Sequence, residues 1–361
     1  MSKLKTLAGL LRGGQVGRVA RRAGQGLAQW PRKLPHQAGV LPRTARLAAA
    51  LGREKRRVRA QDPGRPFIGV HLSERLGDLV SCEPVARYLR REHPDAHLVW
   101  LVKEQFREIP ESFPEVDSVR TVGCLAEGLL LRRTALFDRF VDLHVNRKQC
   151  YRCGAININP QGNTAVDVDT YYNYGALLPA ACECAGLPRL DDAPRLTLSA
   201  DVAARVDALG LPDGFVAMHC TSSEANRDWH AEGWRDLARR LLAETGRGVV
   251  EVGLAPVIGG DSLRYRSVCG RLSVLETAEV IRRAGAFVGV DSGPAHLANA
   301  VGTPGVLLLG PHHLFRRYLP YTGLYADRGG ARILFSDAGV KGLTVDEVFQ
   351  ALEGQLAPAR R

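Results

Sequence analysis

The sequence predicts an α/β protein made of two Rossmann-like, doubly wound domains that face each other across a cleft. Strand-like apolar runs alternate with helical segments along the chain, which is typical of parallel sheets covered by helices on both faces. The alternation begins near residue 67 and begins again near residue 214. A length of 361 residues also suits two domains better than a single hydrophobic core.

The first domain is predicted at residues 66–195. Its first strand is the buried apolar run Phe67–Leu72, and residues 73–78 form the loop that follows. A helix then extends to about Glu92, where Pro94 ends it. Further strands are predicted at residues 97–102, 119–122 and 140–143.

The second domain is predicted at residues 214–361, and residues 196–213 are predicted as the linker because Pro212 and Gly214 favour irregular structure. Ligands bind at the carboxyl ends of the strands in doubly wound sheets, so we expect functional residues in the loops after the strands. Strands are predicted at residues 215–219, 248–252, 287–290 and 306–309, and helices at residues 234–245, 275–284 and 295–301.

Basic residues are concentrated in the N-terminal tail. Residues 1–65 hold 16 Lys and Arg against two acids, whereas the rest holds 33 basic and 36 acidic residues. The tail therefore carries +14 and the rest −3, which together give the net charge of +11. A polybasic tail is typical of contact with anionic lipid or nucleic acid, and Leu4, Leu7 and Leu11 suit a short surface-lying helix. The alternative is a partly disordered tail without a partner. Because no basic, aromatic-interleaved surface follows, we favour an anionic membrane surface and expect no nucleic-acid partner.

Two absences in the sequence bear on location. No apolar run is long enough for a transmembrane helix, and the N-terminus lacks an apolar segment with a cleavage site. We therefore expect a cytoplasmic protein, peripheral on the inner face of the plasma membrane if the tail binds lipid. The eight cysteines are then expected to be free thiols.

Other patterns carry weaker signals. Cys150 and Cys153 could join Cys182 and Cys184 in a four-thiolate zinc site. The second pair has a single intervening residue, however, so ordinary thiols are favoured and we expect no metal ligand. The triplet at residues 167–169 indicates an ordinary loop or a helix start. No dinucleotide-binding glycine fingerprint, P-loop or nucleophile elbow is present, so we expect no cofactor.

The segment from Asp291 to His296 predicts an anion site at the start of a helix. Asp291 or Ser292 can cap the helix, and Pro294 suits its first turn. Gly293 lets backbone N–H groups approach a ligand, and these groups together with the helix dipole attract an anion. The ring of His296 is expected to reach the same anion. The alternative is an ordinary capped helix with a satisfied histidine.

The wider motif resembles that of a known family. Asp-Ser-Gly-Pro-Ala-His-Leu-Ala-Asn-Ala-Val-Gly-Thr-Pro at residues 291–304, followed by Leu-Gly-Pro at residues 309–311, is similar to the signature of glycosyltransferase family 9. This is the heptosyltransferase family of bacterial lipopolysaccharide assembly. The similarity extends to Leu-Gly-Asp at residues 76–78 and to residues 219–229, so it covers about residues 66–355.

The resemblance implies a GT-B fold, with a nucleotide-diphosphate sugar donor on the C-terminal domain and a glycan or glycolipid acceptor on the N-terminal domain. It also implies inverting, metal-independent transfer of a sugar, with heptose expected, in lipopolysaccharide or other cell-surface glycan synthesis. Asp78 matches the family's general base, and Arg227, two residues before Trp229, matches a contact to the donor phosphate. The substrate-binding residues implied in this way are Gly77, Thr221, Arg227, Asp291, Ser292, Gly293 and His296.

The residue types suit that chemistry. A carboxylate can take the proton of an attacking sugar hydroxyl. Without a metal, the charge on a leaving nucleoside diphosphate needs a cation and a helix N-terminus. Taken alone, Asp78 could instead cap a helix, and Arg227 could be a solvated loop charge.

Departures from the family pattern leave alternatives open. Ser292 stands where the family often has Thr, and residues 253–256 stand where an acid that holds the ribose is expected. The loop residues 73–75 are bulkier than usual, which points to a different acceptor. The alternatives are a nucleotide-sugar epimerase or hydrolase on the same fold, and a non-catalytic sugar-nucleotide binding homologue.

Overall fold

The computed structural model describes residues 30–260, 263–311, 317–326 and 330–356. Within these residues, the N-terminal half contains a four-stranded parallel sheet. All five residues of its first strand are buried, as expected for a parallel strand covered on both faces. Its strands are β1 (Phe67–His71), β2 (His97–Val102), β3 (Ser118–Thr121) and β4 (Arg139–Asp142), and their spatial order is β3-β2-β1-β4.

The helices of this half follow the strands as the sequence alternation requires. They are α1 (Trp30–Gln61), α2 (Leu76–Ser81), α3 (Glu83–Glu92), α4 (Glu108–Glu111), α5 (Leu125–Arg132) and α6 (Leu177–Ala185). Short 3-10 turns lie at Glu104–Phe106 and Tyr171–Tyr174.

The C-terminal half contains a six-stranded parallel sheet in the described residues. Its strands are β5 (Val216–His219), β6 (Val249–Glu251), β7 (Tyr265–Ser267), β8 (Ala286–Val290), β9 (Gly305–Leu309) and β10 (Arg332–Phe335), in the order β10-β9-β8-β5-β6-β7. The accompanying helices are α7 (Ala200–Asp207), α8 (Ala231–Arg240), α9 (Val274–Arg283), α10 (Gly293–Ala300) and α11 (Val345–Glu353).

Each sheet changes direction next to its first strand. β2 and β4 lie on opposite sides of β1, and β6 and β8 lie on opposite sides of β5. Such a reversal opens a crevice at the carboxyl ends of the strands, where ligands bind in doubly wound proteins. The segments that follow β1, β5 and β8 carry Asp78, Arg227 and Asp291 respectively. The observed architecture confirms the predicted α/β class with two doubly wound sheets.

Several helix boundaries differ from the prediction. The helix predicted after β1 is divided, because α2 ends at Ser81 and α3 begins at Glu83 with Pro84 in its first turn. The helix predicted at residues 234–245 begins earlier, at Ala231, and closes with a π-helical turn at Leu241–Thr245. The predicted linker contains α7, whose start is capped where Ser199 accepts the N–H of Val202 at 3.3 Å.

The basic helix α1 packs against the N-terminal sheet. Leu51 and Val58 are buried in an apolar cluster with residues of β1 and β2. The carboxylate of Glu54, also buried, lies 2.8 Å from Nε2 of His97. Helix α1, which belongs to the predicted tail, is therefore held against the N-terminal sheet by burial of apolar surface. The predicted surface-lying helix around residues 4–11 lies outside the described residues, and no helix within them is both long and apolar enough to cross a membrane.

Candidate functional site

Helices α2 and α10 bring the two sequence motifs into direct contact. A Cβ atom built at Gly77 would lie 2.6 Å from Cδ2 of His296, and one built at Gly293 would lie 2.8 Å from Cδ2 of Leu76. Both distances are too short for real atoms, so each glycine provides the space in which the other helix packs. The prediction for Gly293 was close approach of a ligand, whereas in the structure a leucine of the opposite half fills that space.

His296 is buried where the two halves meet. Its Nδ1 lies 2.9 Å from Oγ of Ser81, and its ring lies 4.3 Å from the ring of Tyr321. Burial lowers the pKa of His296 to about 4, although the Asp291 carboxylate acts in the opposite direction. The ring is therefore neutral near pH 7, and it offers a hydrogen bond rather than a positive charge to an anion.

Asp291 and Arg227 form an ion pair at the reversal point of the C-terminal sheet. Nη1 of Arg227 lies 3.1 Å from Oδ2 of Asp291, and the hydroxyl of Tyr321 donates to Oδ1 at 2.7 Å. Arg227 also donates from Nη2 to Oγ of Ser223 at 3.3 Å. Its Nε is buried and has no hydrogen-bond partner among the described residues. An unpaired buried donor is costly, and a bound anion oxygen would satisfy it.

A second arginine reaches this point from the other half of the molecule. Arg75, in the loop after β1, donates to the same Ser223 hydroxyl that Arg227 contacts. Thr221 is half-buried at the start of this loop after β5. Two guanidinium groups from opposite halves therefore converge on one loop, which gives the crevice the positive charge that a phosphate group requires.

The start of α10 is not capped in the predicted way. Ser292 occupies the N-cap position, but its hydroxyl donates to the carbonyl oxygen of Val290 at 3.0 Å and accepts no N–H group of the helix. The carboxylate of Asp291 is engaged by Arg227 and Tyr321 instead. Neither side chain therefore occupies the N–H groups of the first turn, which keeps the positive end of the helix dipole accessible to an anion.

Asp78 is the third residue of α2, and its Oδ2 accepts the N–H of Arg75 at 3.2 Å. This is the helix-start contact that the alternative interpretation required. Burial raises the pKa of Asp78 and the Glu74 carboxylate raises it further, while Lys148 and Arg75 oppose the shift. A carboxylate with a raised pKa is a stronger base than an ordinary aspartate, so the same group remains suited to accepting a proton.

Asp78 and Asp291 lie at the starts of two helices that pack against each other. Asp78 is the third residue of α2, and Asp291 comes directly before Ser292, the N-cap residue of α10. Gly77 of α2 packs on His296 of α10, so both carboxylates lie at the same seam between the two halves. Burial raises the pKa of Tyr171 to about 12, and its ring packs edge-on against that of Tyr318 at 5.5 Å.

Sequence reasoning missed a buried polar network beside Glu74. His144 lies 2.7 Å from Asp142 through Nδ1 and 3.0 Å from the Ser73 hydroxyl through Nε2, and all three side chains are buried. Lys148 lies 3.0 Å from Oε2 of Glu74. Asp142 ends β4 and is followed by His144 and Lys148, whereas Ser73 and Glu74 follow the neighbouring strand β1. Their position at the carboxyl ends of two adjacent strands was the signal that could have found them.

The acid expected after β6 has a structural counterpart. Glu251 ends this strand and is buried. Its carboxylate accepts the N–H of Val257 at 2.6 Å and the hydroxyl of Tyr265 at 2.6 Å. Since these internal contacts occupy Glu251, a ribose would need other partners.

The cysteine pairing considered from the sequence is wrong. Cys182 and Cys184 are buried on α6, in apolar clusters different from that of Cys150. Cys150 and Cys153 meet Cys124 instead, and the three sulfur atoms lie within 4.8 Å of one another. The triplet at residues 167–169 forms an ordinary loop, as predicted, with both of its aspartates paired to Arg147.

Comparison with known proteins identifies a matching family model and similar folds. The family model described as glycosyltransferase family 9 (heptosyltransferase) matches residues 173–323. No curated protein sequence matches the chain.

Solved structures are similar over most of the chain. A family 9 glycosyl transferase from Veillonella parvula has a TM-score of 0.59 at 16% identity and covers 80% of this chain and 97% of its own. The ADP-heptose lps heptosyltransferase II of E. coli has a TM-score of 0.58 at 17% identity, with coverage of 80% and 98%. An E. coli heptosyltransferase with ADP-2-deoxy-2-fluoro heptose has a TM-score of 0.53 at 15% identity, with coverage of 80% and 99%. The chain has the GT-B fold of these structures.

Proposed function

Because the match over residues 173–323 assigns this chain to glycosyltransferase family 9, we propose that it transfers a sugar, with inversion and without a metal, from a nucleoside-diphosphate donor to a saccharide acceptor. The observation that carries the proposal is the shared crevice. Asp78, a carboxylate with a raised pKa, lies on one side of the crevice, and the anion-binding site around the positively charged Arg227 lies on the other. Asp78 lies outside the matched residues, so its role rests on its family motif and on this geometry.

The donor diphosphate is proposed to bind at the reversal point of the C-terminal sheet. Arg227 would present its unpaired Nε to a phosphate oxygen, and the first turn of α10 would present backbone N–H groups. Asp291 would orient the guanidinium through the 3.1 Å ion pair. ADP-heptose is the first donor to test, because two similar E. coli heptosyltransferase structures contain ADP or ADP-2-deoxy-2-fluoro heptose.

The acceptor is proposed to bind over the N-terminal sheet, in residues 66–195, with the donor domain at residues 214–361. Asp78 would take the proton of the acceptor hydroxyl while that oxygen forms its bond to the anomeric carbon. The bond from that carbon to the diphosphate breaks on the opposite face, which inverts the configuration. The developing negative charge on the leaving group would be stabilised by Arg227 and the start of α10.

A substitution of Asp78 tests the base assignment. Asp78→Asn should lower the transfer rate by about 10²–10⁴-fold, because a positioned general base contributes that much. Its affinity for ADP, measured by calorimetry, should remain unchanged. Asp95→Asn is the matched control, since Asp95 is exposed and precedes β2, at the edge of the sheet opposite to the carboxyl ends of the strands. Unchanged turnover of Asp78→Asn would overturn the assignment.

Two further measurements separate this function from others. Transfer should continue without added Mg²⁺ or Mn²⁺, and an absolute requirement for either ion would contradict metal independence. Donor should be consumed only when an acceptor is present. Rapid loss of donor without acceptor would instead indicate a hydrolase or an epimerase, and absence of binding to any nucleoside diphosphate would remove the catalytic proposal.

We also propose that the protein works on an anionic membrane surface, in the synthesis of lipopolysaccharide or another cell-surface glycan. Arg46, Arg53, Arg56 and Arg57 are exposed on α1, in addition to the basic residues that precede it. Clustered arginines attract anionic lipid. Sedimentation with vesicles containing phosphatidylglycerol should retain the protein, and phosphatidylcholine vesicles should not. Replacement of the four arginines by Gln should weaken retention, and equal binding to both vesicles would refute the proposal.

A further inference from the structure

We propose that Cys124, Cys150 and Cys153 bind a zinc ion at the seam between α1, α5 and the loop after β4. The three sulfur atoms lie within 4.8 Å of one another, and Sγ of Cys124 lies 3.7 Å from Sγ of Cys153. A tetrahedral zinc ion with Zn–S bonds of about 2.3 Å separates its sulfur ligands by about 3.8 Å. A disulfide would need about 2.05 Å. The Cys124–Cys153 spacing therefore fits two ligands of one ion and is too long for a disulfide.

The backbone conformation brings the three thiols together. Cys124 occupies the position before the first residue of α5. Cys150 and Cys153 lie in a tight turn that Gly154 closes by donating its N–H to the Cys150 carbonyl at 2.8 Å. Gly154 has a φ of +80°, which favours glycine. The two-residue spacing of Cys150 and Cys153 is that of one half of a structural zinc site.

Helix α1 covers the outer side of the cluster. Gln37 donates from Nε2 to the Cys153 carbonyl at 2.8 Å, and Val40 packs against the cysteines. His36 comes one residue earlier on this helix, and its Nε2 lies 3.4 Å from Nη2 of Arg43. A rotation of this ring would supply the fourth ligand of a Cys3His site. The bound ion would then link the basic helix to the N-terminal sheet.

This site differs from the expectation of no metal ligand, and it is independent of the proposed transfer reaction. The full chain, purified under reducing conditions and reconstituted with zinc, should contain one zinc per molecule by plasma mass spectrometry. Cobalt in its place should give the visible absorption of tetrahedral Co²⁺ and a thiolate charge-transfer band. These readouts do not depend on activity.

Cysteine variants test which thiols bind the ion. Cys124→Ser and Cys153→Ser should weaken zinc affinity more than about 100-fold, because each removes a direct ligand. Serine is favoured at a helix N-cap, so Cys124→Ser should still fold. Cys269→Ser, which alters a half-buried thiol of the other half, should keep one zinc. His36→Ala should weaken binding without abolishing it.

Three results would overturn the proposal. One is equal zinc content in wild type and both ligand variants. Another is wild-type protein that takes up no zinc or cobalt while the N-terminal half is folded by circular dichroism. The third is a Cys124–Cys153 disulfide detected by peptide mapping of protein kept under reducing conditions. A failure of transfer with the zinc content intact would bear only on the proposed function.

Discussion

Replacing Gly77 by alanine should push α2 away from α10. The new Cβ would lie 2.6 Å from Cδ2 and 2.9 Å from Nε2 of His296. That ring cannot turn aside at low cost, because Ser81 holds its Nδ1 at 2.9 Å and Tyr321 packs on its face. Overpacking of this kind costs about 1–3 kcal/mol. Alanine also favours the helix over glycine by up to about 1 kcal/mol, so the net loss of stability is smaller than the clash.

A double-mutant cycle isolates the clash. Gly77→Ala is compared in the wild type and in His296→Ala, where the ring is gone, and the free energy of unfolding is measured with urea. The helix contribution is common to both backgrounds and cancels, so the coupling free energy should be about 1–3 kcal/mol. Gly354→Ala is the control, since its Cβ would meet nothing closer than 3.5 Å. A coupling near zero would refute the close packing of the two motifs.

Three further predictions concern charges and hydrogen bonds of the site. Glu74→Gln removes a negative charge that raises the pKa of Asp78. The acid limb of the profile of kcat/KM against pH should therefore move to lower pH. An unmoved limb would contradict the effect of Glu74 on Asp78. The folded pKa of His296 is about 4, below its ordinary 6.5, so its contribution to stability is complete above about pH 6.5 and is lost as the pH falls. The loss by pH 4 should be about 3 kcal/mol relative to His296→Gln in urea titrations, and parallel pH profiles would refute it. Tyr321→Phe removes the 2.7 Å hydrogen bond to Asp291 and should cost about 1.5–3 kcal/mol of unfolding free energy, whereas a change below about 0.5 kcal/mol would show that the bond is unimportant.

The local pattern of apolar residues was sufficient to predict most of the fold. The run Phe67–Leu72 and the run Phe287–Val290 are apolar without interruption, as buried parallel strands are, and both are strands in the structure. The strands β7 and β10 were missed because they lie at the edges of the sheet, where half-buried residues break the apolar run. The divided helix after β1 was missed because Cys82 and Pro84 give only a weak local signal for a break.

The candidate site was harder to predict from local sequence pattern than the fold was. Asp291 was found from the helix-start pattern, and Asp78 and Arg227 from the family resemblance. Their places after β8, β1 and β5 agree with the carboxyl-end rule. The network of Ser73, Asp142 and His144 has no motif, because only the adjacency of β1 and β4 brings Ser73 to the other two residues. Spacing alone suggested the wrong cysteine partners for the same reason.

The sequence by itself determined the two doubly wound sheets and predicted an anion site at the start of α10, because hydrophobic periodicity and helix-start chemistry act over a few neighbouring residues. Only the tertiary structure decided which residues distant in the chain contact one another. It turned Gly77 and Gly293 into packing contacts, made His296 a neutral buried ring, and brought Cys124 to the Cys150–Cys153 turn. The physical reason is that burial, pKa and coordination depend on residues far apart in the chain, whose approach is set by the packing of whole elements.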